Sequence, residues 1–296
     1  MFTRLCCARR ARFVVSLGAA LSLTAGCASF QAPRAIPLPA NAIAVAQLAH
    51  GRVAVLAGDG GAKAISVINL ANGAVVASFG VTREATGIAA ESPDGPLLVA
   101  VGGLADGEPF GAIERWSLIG LKGRVAPLPA RALGMTRMID GVAYALLAGD
   151  GEDRAAVSIQ SPALRIGSPI GLEASARNVQ QCKIGALDYL VYADGGGRIV
   201  LRGAQSGRVL RSEVVADSPE CDAQGNVYAI RKQFAASSIV VMEIPALLQI
   251  AQLPVSNDAR ALYATDDRQI MALDSTSRVA SLEVVHEPAA VKTAAR

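Results

Sequence analysis

Acidic residues are the densest source of chemistry in this chain: Asp59, Asp106, Glu108, Asp150, Glu152, Asp153 and Asp194 all lie in short polar segments between apolar runs. Carboxylates converging from such loops could form an acidic rim or hold a hard cation such as Ca²⁺. Asp150-Gly-Glu-Asp153 is the densest group, and it lacks the spacing of an EF-hand loop. Asp-Gly is also ordinary turn chemistry, because both residues tolerate positive φ, and turn use is the preferred reading here. No cofactor or metal is therefore expected. His50 and His286 are the only histidines, one at an expected turn and one near the C-terminus, so neither has a partner for a triad or a zinc site. With no G-x-S-x-G elbow and no phosphate-binding Gly-rich loop, catalysis is not expected either. Asp217 to Asp222, DSPECD, offers a conceivable carboxylate pair, but a solvated loop leading into a strand is the better account. The single tryptophan, Trp116, is expected to pack inside the fold rather than serve as a binding hot spot.

These residues hang on a repeat. Ile65 to Val101 reads as strand, turn, strand, loop, strand, turn and strand, with Asn72-Gly73 and Asp94-Gly95 as hairpin signals. Weaker copies begin near Ile43, Gly87, Met135, Asn178, Pro219 and Ala259, about 40 residues apart, the period of four-stranded propeller blades. The expected fold is all-β: a single β-propeller over residues 41–286, with six blades favoured and seven possible. The last repeat is short by one strand. Arg34-Ala-Ile-Pro-Leu-Pro-Ala40 closely matches Arg124-Val-Ala-Pro-Leu-Pro-Ala130, which ends the second repeat, so the N-terminal strand is expected to complete the last blade. That closure removes sheet edges, which would otherwise invite aggregation. A helical fold is excluded, since no long segment has apolar residues at i, i+3, i+4 and i+7.

Cys182 and Cys221 fall one repeat apart, on expected inner strands of adjacent blades. In an oxidising compartment such a pair reads as a disulfide; the alternative is two buried thiols.

The residues Ile65-Ser-Val-Ile-Asn-Leu, Gly73, Val75-Val76-Ala77, Gly87-Ile88-Ala89, Ser92-Pro-Asp-Gly95 and Leu98-Val99 resemble the YVTN-type repeat of YncE-like β-propellers. Arg198 to Ile230 is a second, looser match. Where that family typically has Val-Tyr-Val-Ala-Asn, this chain has Leu-Val-Ala-Val-Gly. The resemblance implies a propeller and little about function, since such folds host many activities. The Trp-rich repeat of quinone-type propellers, and of the outer-membrane assembly lipoproteins that resemble them, is missing.

Residues 1–26 combine a basic start (Arg4, Arg9, Arg10, Arg12) with an apolar run from Phe13 to Leu23, too short for a span of roughly 20 residues. Leu23-Thr-Ala-Gly-Cys27 resembles a bacterial lipobox, with Leu one place further out than usual, and implies lipidation of Cys27. Ala28 after the cysteine then implies sorting to the outer membrane. The alternative is secretory cleavage after Ala28, giving a soluble periplasmic or secreted protein. Residues 27–40 read as a Pro- and Ala-rich tether and 287–296 as a polar tail. The full chain has 28 basic and 25 acidic residues; four arginines leave with residues 1–26, so 24 face 25 and the remaining net charge is −1. Without a basic excess there is no footprint for nucleic acid. The functional expectation is a periplasm-facing, lipid-anchored propeller that binds or scaffolds an envelope protein. The alternative is a small-ligand binder or lactonase-like hydrolase using the central channel.

Overall fold

The computed structural model describes residues 35–58, 61–149, 153–234, 236–264, 270–275 and 280–285. They fold into six antiparallel sheets arranged as a six-bladed β-propeller, and no described residue is helical. The first strand, β1 (Ala35–Leu38), belongs to the last blade. Blade 1 is β2 (Ala42–Leu48), β3 (Arg52–Gly58), β4 (Lys63–Asn69) and β5 (Val75–Val81). Blade 2 is β6 (Ala85–Ala90), β7 (Leu97–Ala105), β8 (Glu108–Trp116) and β9 (Lys122–Leu128). Blade 3 is β10 (Ala132–Met135), β11 (Val142–Ala148), β12 (Arg154–Gln160) and an outer strand broken into β13 (Arg165–Ile166) and β14 (Ile170–Leu172). The break falls at Gly167-Ser-Pro169, where proline has no N–H to give the ladder. Blade 4 is β15 (Arg177–Ile184), β16 (Leu187–Ala193), β17 (Arg198–Gly203) and β18 (Val209–Val215). Blade 5 is β19 (Asp217–Cys221), β20 (Asn226–Lys232), β21 (Ser237–Glu243) and β22 (Leu248–Val255). Blade 6 is β23 (Ala259–Ala264), β24 (Ile270–Ser275), β25 (Ala280–Val285) and β1.

The core is distributed between blades rather than collected at a centre. Successive side chains of a strand point to opposite faces, and here both faces are covered. In β3, Val53 and Val55 join a buried cluster shared with blade 6, while Ala54 and Leu56 join the one shared with blade 2. Burial on both sides is why these strands read as near-continuous aliphatic runs. The inner strands converge on the axis and are built from small residues; a Cβ on Gly87 of β6 would lie 2.8 Å from the Met135 nitrogen of β10. Each inner strand also carries a one-residue bulge near its start, for example between Ala42 and Ala44 and between Ala259 and Ala261.

The ring has two faces. One carries the turns between first and second and between third and fourth strands, and is called here the hairpin face. The other, the connection face, carries the loops between second and third strands and the links from blade to blade. The Asp106-Gly107 pair is a two-residue turn between β7 and β8 with both residues at positive φ. Asn72-Gly73 instead lies in a five-residue turn, with the Asn69 and Asn72 side chains accepting from Ala71 and Ala74 N–H.

Closure follows the N-terminal strand. β1 pairs with β25 in the register Ala35↔Glu283 to Leu38↔Ala280. Its burial alternates as in the matching segment of β9: Ile36 and Ala126 are buried, while Pro37 and Pro127 face out. Ile36 enters the cluster between blades 6 and 1 with Val53, Met271 and Leu282. Replacing Ile36 with alanine should therefore lower unfolding free energy by about 2–4 kcal/mol, read from urea denaturation. Val125→Ala, exposed on the equivalent strand of blade 2, should change it by less than about 0.5 kcal/mol.

Candidate functional site

Within the ring, the acids singled out by the sequence have separate duties. Asp59, Asp150 and Glu152 lie outside the described residues, as do Cys27 and His286. Asp153 is exposed and closes its loop through its carbonyl, which accepts the Gly149 N–H at 2.9 Å. Asp194 is buried: Oδ1 accepts the N–H groups of Gly196 and Arg198 at 2.8 and 2.9 Å, and Oδ2 accepts Arg198 Nε at 3.0 Å. Burial alone would raise its pKa; the Arg198 backbone and guanidinium outweigh that and hold the carboxyl below its ordinary range. On the hairpin face the Asp222 carboxylate accepts from Gln224 and Asn226 N–H, Asn226 Nδ2 and the Tyr228 hydroxyl. These carboxylates shape turns. Among the described residues no three His, Cys, Asp or Glu side chains come together as a metal site.

Two regions have the geometry of a site. The first is a groove of about 470 Å³ on the connection face between blades 3 and 4. It is lined by Leu133 and Leu146 on one wall and by Arg154, Ser175, Ala176, Arg177, Asn178 and Gly195 around the rest. Asp153 and Asp194 flank it, each one residue from a lining residue. Beside the groove, a polar chain crosses the starts of three inner strands. Asn178 Nδ2 donates to Asp217 Oδ1 at 2.8 Å, and Ser218 Oγ donates to the Arg260 carbonyl at 2.6 Å. Asn178 and Ser218 both adopt positive φ at their bulges.

The second region lies inside the ring. Arg137, just beyond β10 in blade 3, donates through Nη2 to the Cys221 carbonyl in blade 5 at 2.6 Å and through Nη1 to the Ala264 carbonyl in blade 6 at 3.4 Å. Blade 4 stands between these blades along the ring, so the side chain takes the path through the central space. Its Nε lies 3.9 Å from Oε1 of Glu220, a buried residue of β19 whose Oε1 also accepts the Cys221 N–H at 2.9 Å. Burial pushes the Glu220 carboxyl up to about 7, against the pull of Arg137 and the Cys221 N–H. Burial likewise raises the Tyr263 hydroxyl, and the Glu220 charge adds to the rise. Arg137, Glu220 and Tyr263 form a channel cluster that sequence reasoning missed. DSPECD is a buried inner strand rather than a solvated loop. Its four polar side chains suggested water, whereas the bulge and the partners Arg137 and Asn178 allow burial.

Cys182 of β15 and Cys221 of β19 are joined in a disulfide, with Cα atoms 5.5 Å apart. The bridge is fully buried and staples the inner strands of blades 4 and 5. Trp116 packs between blades 1 and 2, its ring stacked 6.1 Å from that of Phe79 and its Nε1 donating to buried Glu114 at 3.0 Å. His50 is an exposed turn residue at positive φ, 3.7 Å from Asp94.

No protein-family model and no curated protein matches the chain. Among solved structures, the crystal structure of a protein of unknown function from Bacteroides caccae matches with a TM-score of 0.54 and 14% identity, over 74% of this chain and 81% of that one. At that identity the likeness is one of fold.

Two outcomes are expected. Below about pH 4.5 Glu220 is protonated in both folded and unfolded chains; from there to about 7 the unfolded chain releases a proton that the folded chain keeps. This carboxyl therefore lowers stability as pH rises through that window, by about 1.4 kcal/mol per pH unit at most. Glu220→Gln should flatten that part of the profile in urea titrations repeated from pH 4 to 8. The second outcome concerns the bridge: thiol titration of the chain purified without reductant, carried out in denaturant, should find neither Cys182 nor Cys221 free. Reduction should then lower stability by about 2–4 kcal/mol.

Proposed function

We propose that this chain is an envelope lipoprotein, anchored at the outer membrane through Cys27 and facing the periplasm, whose propeller binds a partner protein. The observation that carries the binding role is the groove between blades 3 and 4. Two guanidinium groups, Arg154 and Arg177, border an apolar wall of Leu133 and Leu146, and no carboxylate among the described residues lines the space. Among the described residues, the one carboxylate contact of Arg177 is a long one, 3.9 Å to Asp217, which suits its guanidinium to a ligand. An acidic segment with one or two aliphatic side chains suits that lining, since guanidinium pairs carboxylates in a planar, two-pronged way. The YncE-like character of the repeats, read from residues 65–101, agrees with a display scaffold.

A second reading has one observation in its favour. The cluster of Arg137, Glu220 and Tyr263 places ionisable groups inside the ring, where a small ligand or a lactonase-like substrate would enter. Arg137 itself occupies that path, which weighs against it.

Cross-linking the tagged full-length protein in cells should recover one dominant envelope partner. The yield should fall about tenfold or more in an Arg154→Glu, Arg177→Glu chain whose melting temperature is unchanged, as removal of two charge-assisted contacts implies. Recovery of no partner would shift the reading to the channel.

A further inference from the structure

We propose that the hairpin face of blades 1 and 2 rests on the lipid bilayer, with Val75, Val76, Ile119 and Leu121 in contact with it; this rests on the lipoprotein reading of Cys27. β1 runs antiparallel to β25, so Ala35, where it begins, lies at the hairpin face. Seven residues, 28–34, separate Ala35 from Cys27. Fully extended, that tether spans about 28 Å. Strands of seven residues make the ring about 23 Å from face to face. Presenting the connection face to the membrane would use most of the tether in crossing that height, whereas the hairpin face meets the bilayer directly.

The apolar side chains lie along a continuous path from the anchored strand. The Asn72-Gly73 turn of blade 1 abuts β1: a Cβ at Gly73 would lie 3.6 Å from Pro37 Cδ. Val75 and Val76 follow that turn and are 57% and 54% exposed. The next turn leans on β5, since a Cβ at Gly120 would come within 2.8 Å of Phe79 Cβ. Ile119 and Leu121, on either side of Gly120, are 79% and 65% exposed. Large side chains this open and this close together are the usual mark of a contact surface. Residues 70–76 and 117–125 contain no carboxylate; Arg124 stands exposed beside the patch, while the Lys122 ammonium is paired with Glu114. Aliphatic tips beside the exposed Arg124 match a bilayer containing anionic lipid. The connection face, with the groove between blades 3 and 4, is then turned to the periplasm.

The test uses the lipidated full-length chain in vesicles of phosphatidylethanolamine and phosphatidylglycerol with brominated acyl chains. Trp116 is buried and supplies a constant background. Ile119→Trp, with Leu121→Trp as a second reporter should the first disturb folding, places an indole on the patch; Leu104→Trp places one on the connection face. The added emission at 119 or 121 should fall about twofold or more in brominated vesicles, as contact with the acyl boundary requires, while that at 104 stays unchanged. Equal quenching at both faces, or none at either, would overturn the docking. Mass spectrometry of the same sample reads the lipid on Cys27: a chain without it would overturn the lipoprotein reading itself, and a lipidated chain with an unquenched patch would overturn only the orientation.

Discussion

The pairing of β1 with β25 is the constraint on which the structure depends. Each blade buries both faces against its neighbours, so a missing strand exposes apolar surface on two sides and leaves an unpaired edge. Four residues, Ala35 to Leu38, supply the outer strand of blade 6 and bring Ile36 into the cluster that joins the last blade to the first. A strand taken from the far end of the chain makes the ring a single cooperative object.

Inside that frame, Glu114, Asp194, Glu220 and Asp222 turn their carboxyl groups inward. Asp194 and Asp222 close glycine-bearing turns, Glu114 collects Thr82, Trp116 and Lys122, and Arg137 links three blades through backbone carbonyls. A buried carboxylate is tolerated only when its lone pairs find donors, and Asp194, Asp222 and Glu114 each find at least three. Glu220 is the exception: it has one backbone donor and a distant guanidinium, and its pKa moves accordingly. The groove bordered by Arg154 and Arg177 and the aliphatic rim of blades 1 and 2 are left open at the surface.

Much of the fold was legible in the sequence because a propeller repeats its physics. The six blades follow the spacing of aliphatic runs, and the closing strand was visible because Arg34 to Ala40 closely matches Arg124 to Ala130 in sequence, with Ile36, like Ala126, facing inward. An alanine opening each inner strand (Ala42, Ala85, Ala132, Ala176, Ala216, Ala259) was a signal that would have placed the blades more sharply; it reflects crowding near the axis. Less was legible at the candidate site. Asp-Gly pairs announce turns without saying whether the carboxylate faces solvent or, as at Asp194, the backbone. The path of Arg137 could not be read, because its partners are main-chain carbonyls 84 and 127 residues away, which have no residue-type signature.

Amide hydrogen exchange across residues 280–285 of the intact protein tests the central claim most directly. A third strand with neighbours on both sides has every amide in a ladder, whereas an edge strand leaves alternate amides to water. If β1 closes the ring, all amides of 280–285 should be protected to the level of 270–275, and removing residues 35–38 should release about half of them. Fast exchange of alternate amides in the intact chain would show an open last blade and contradict the account.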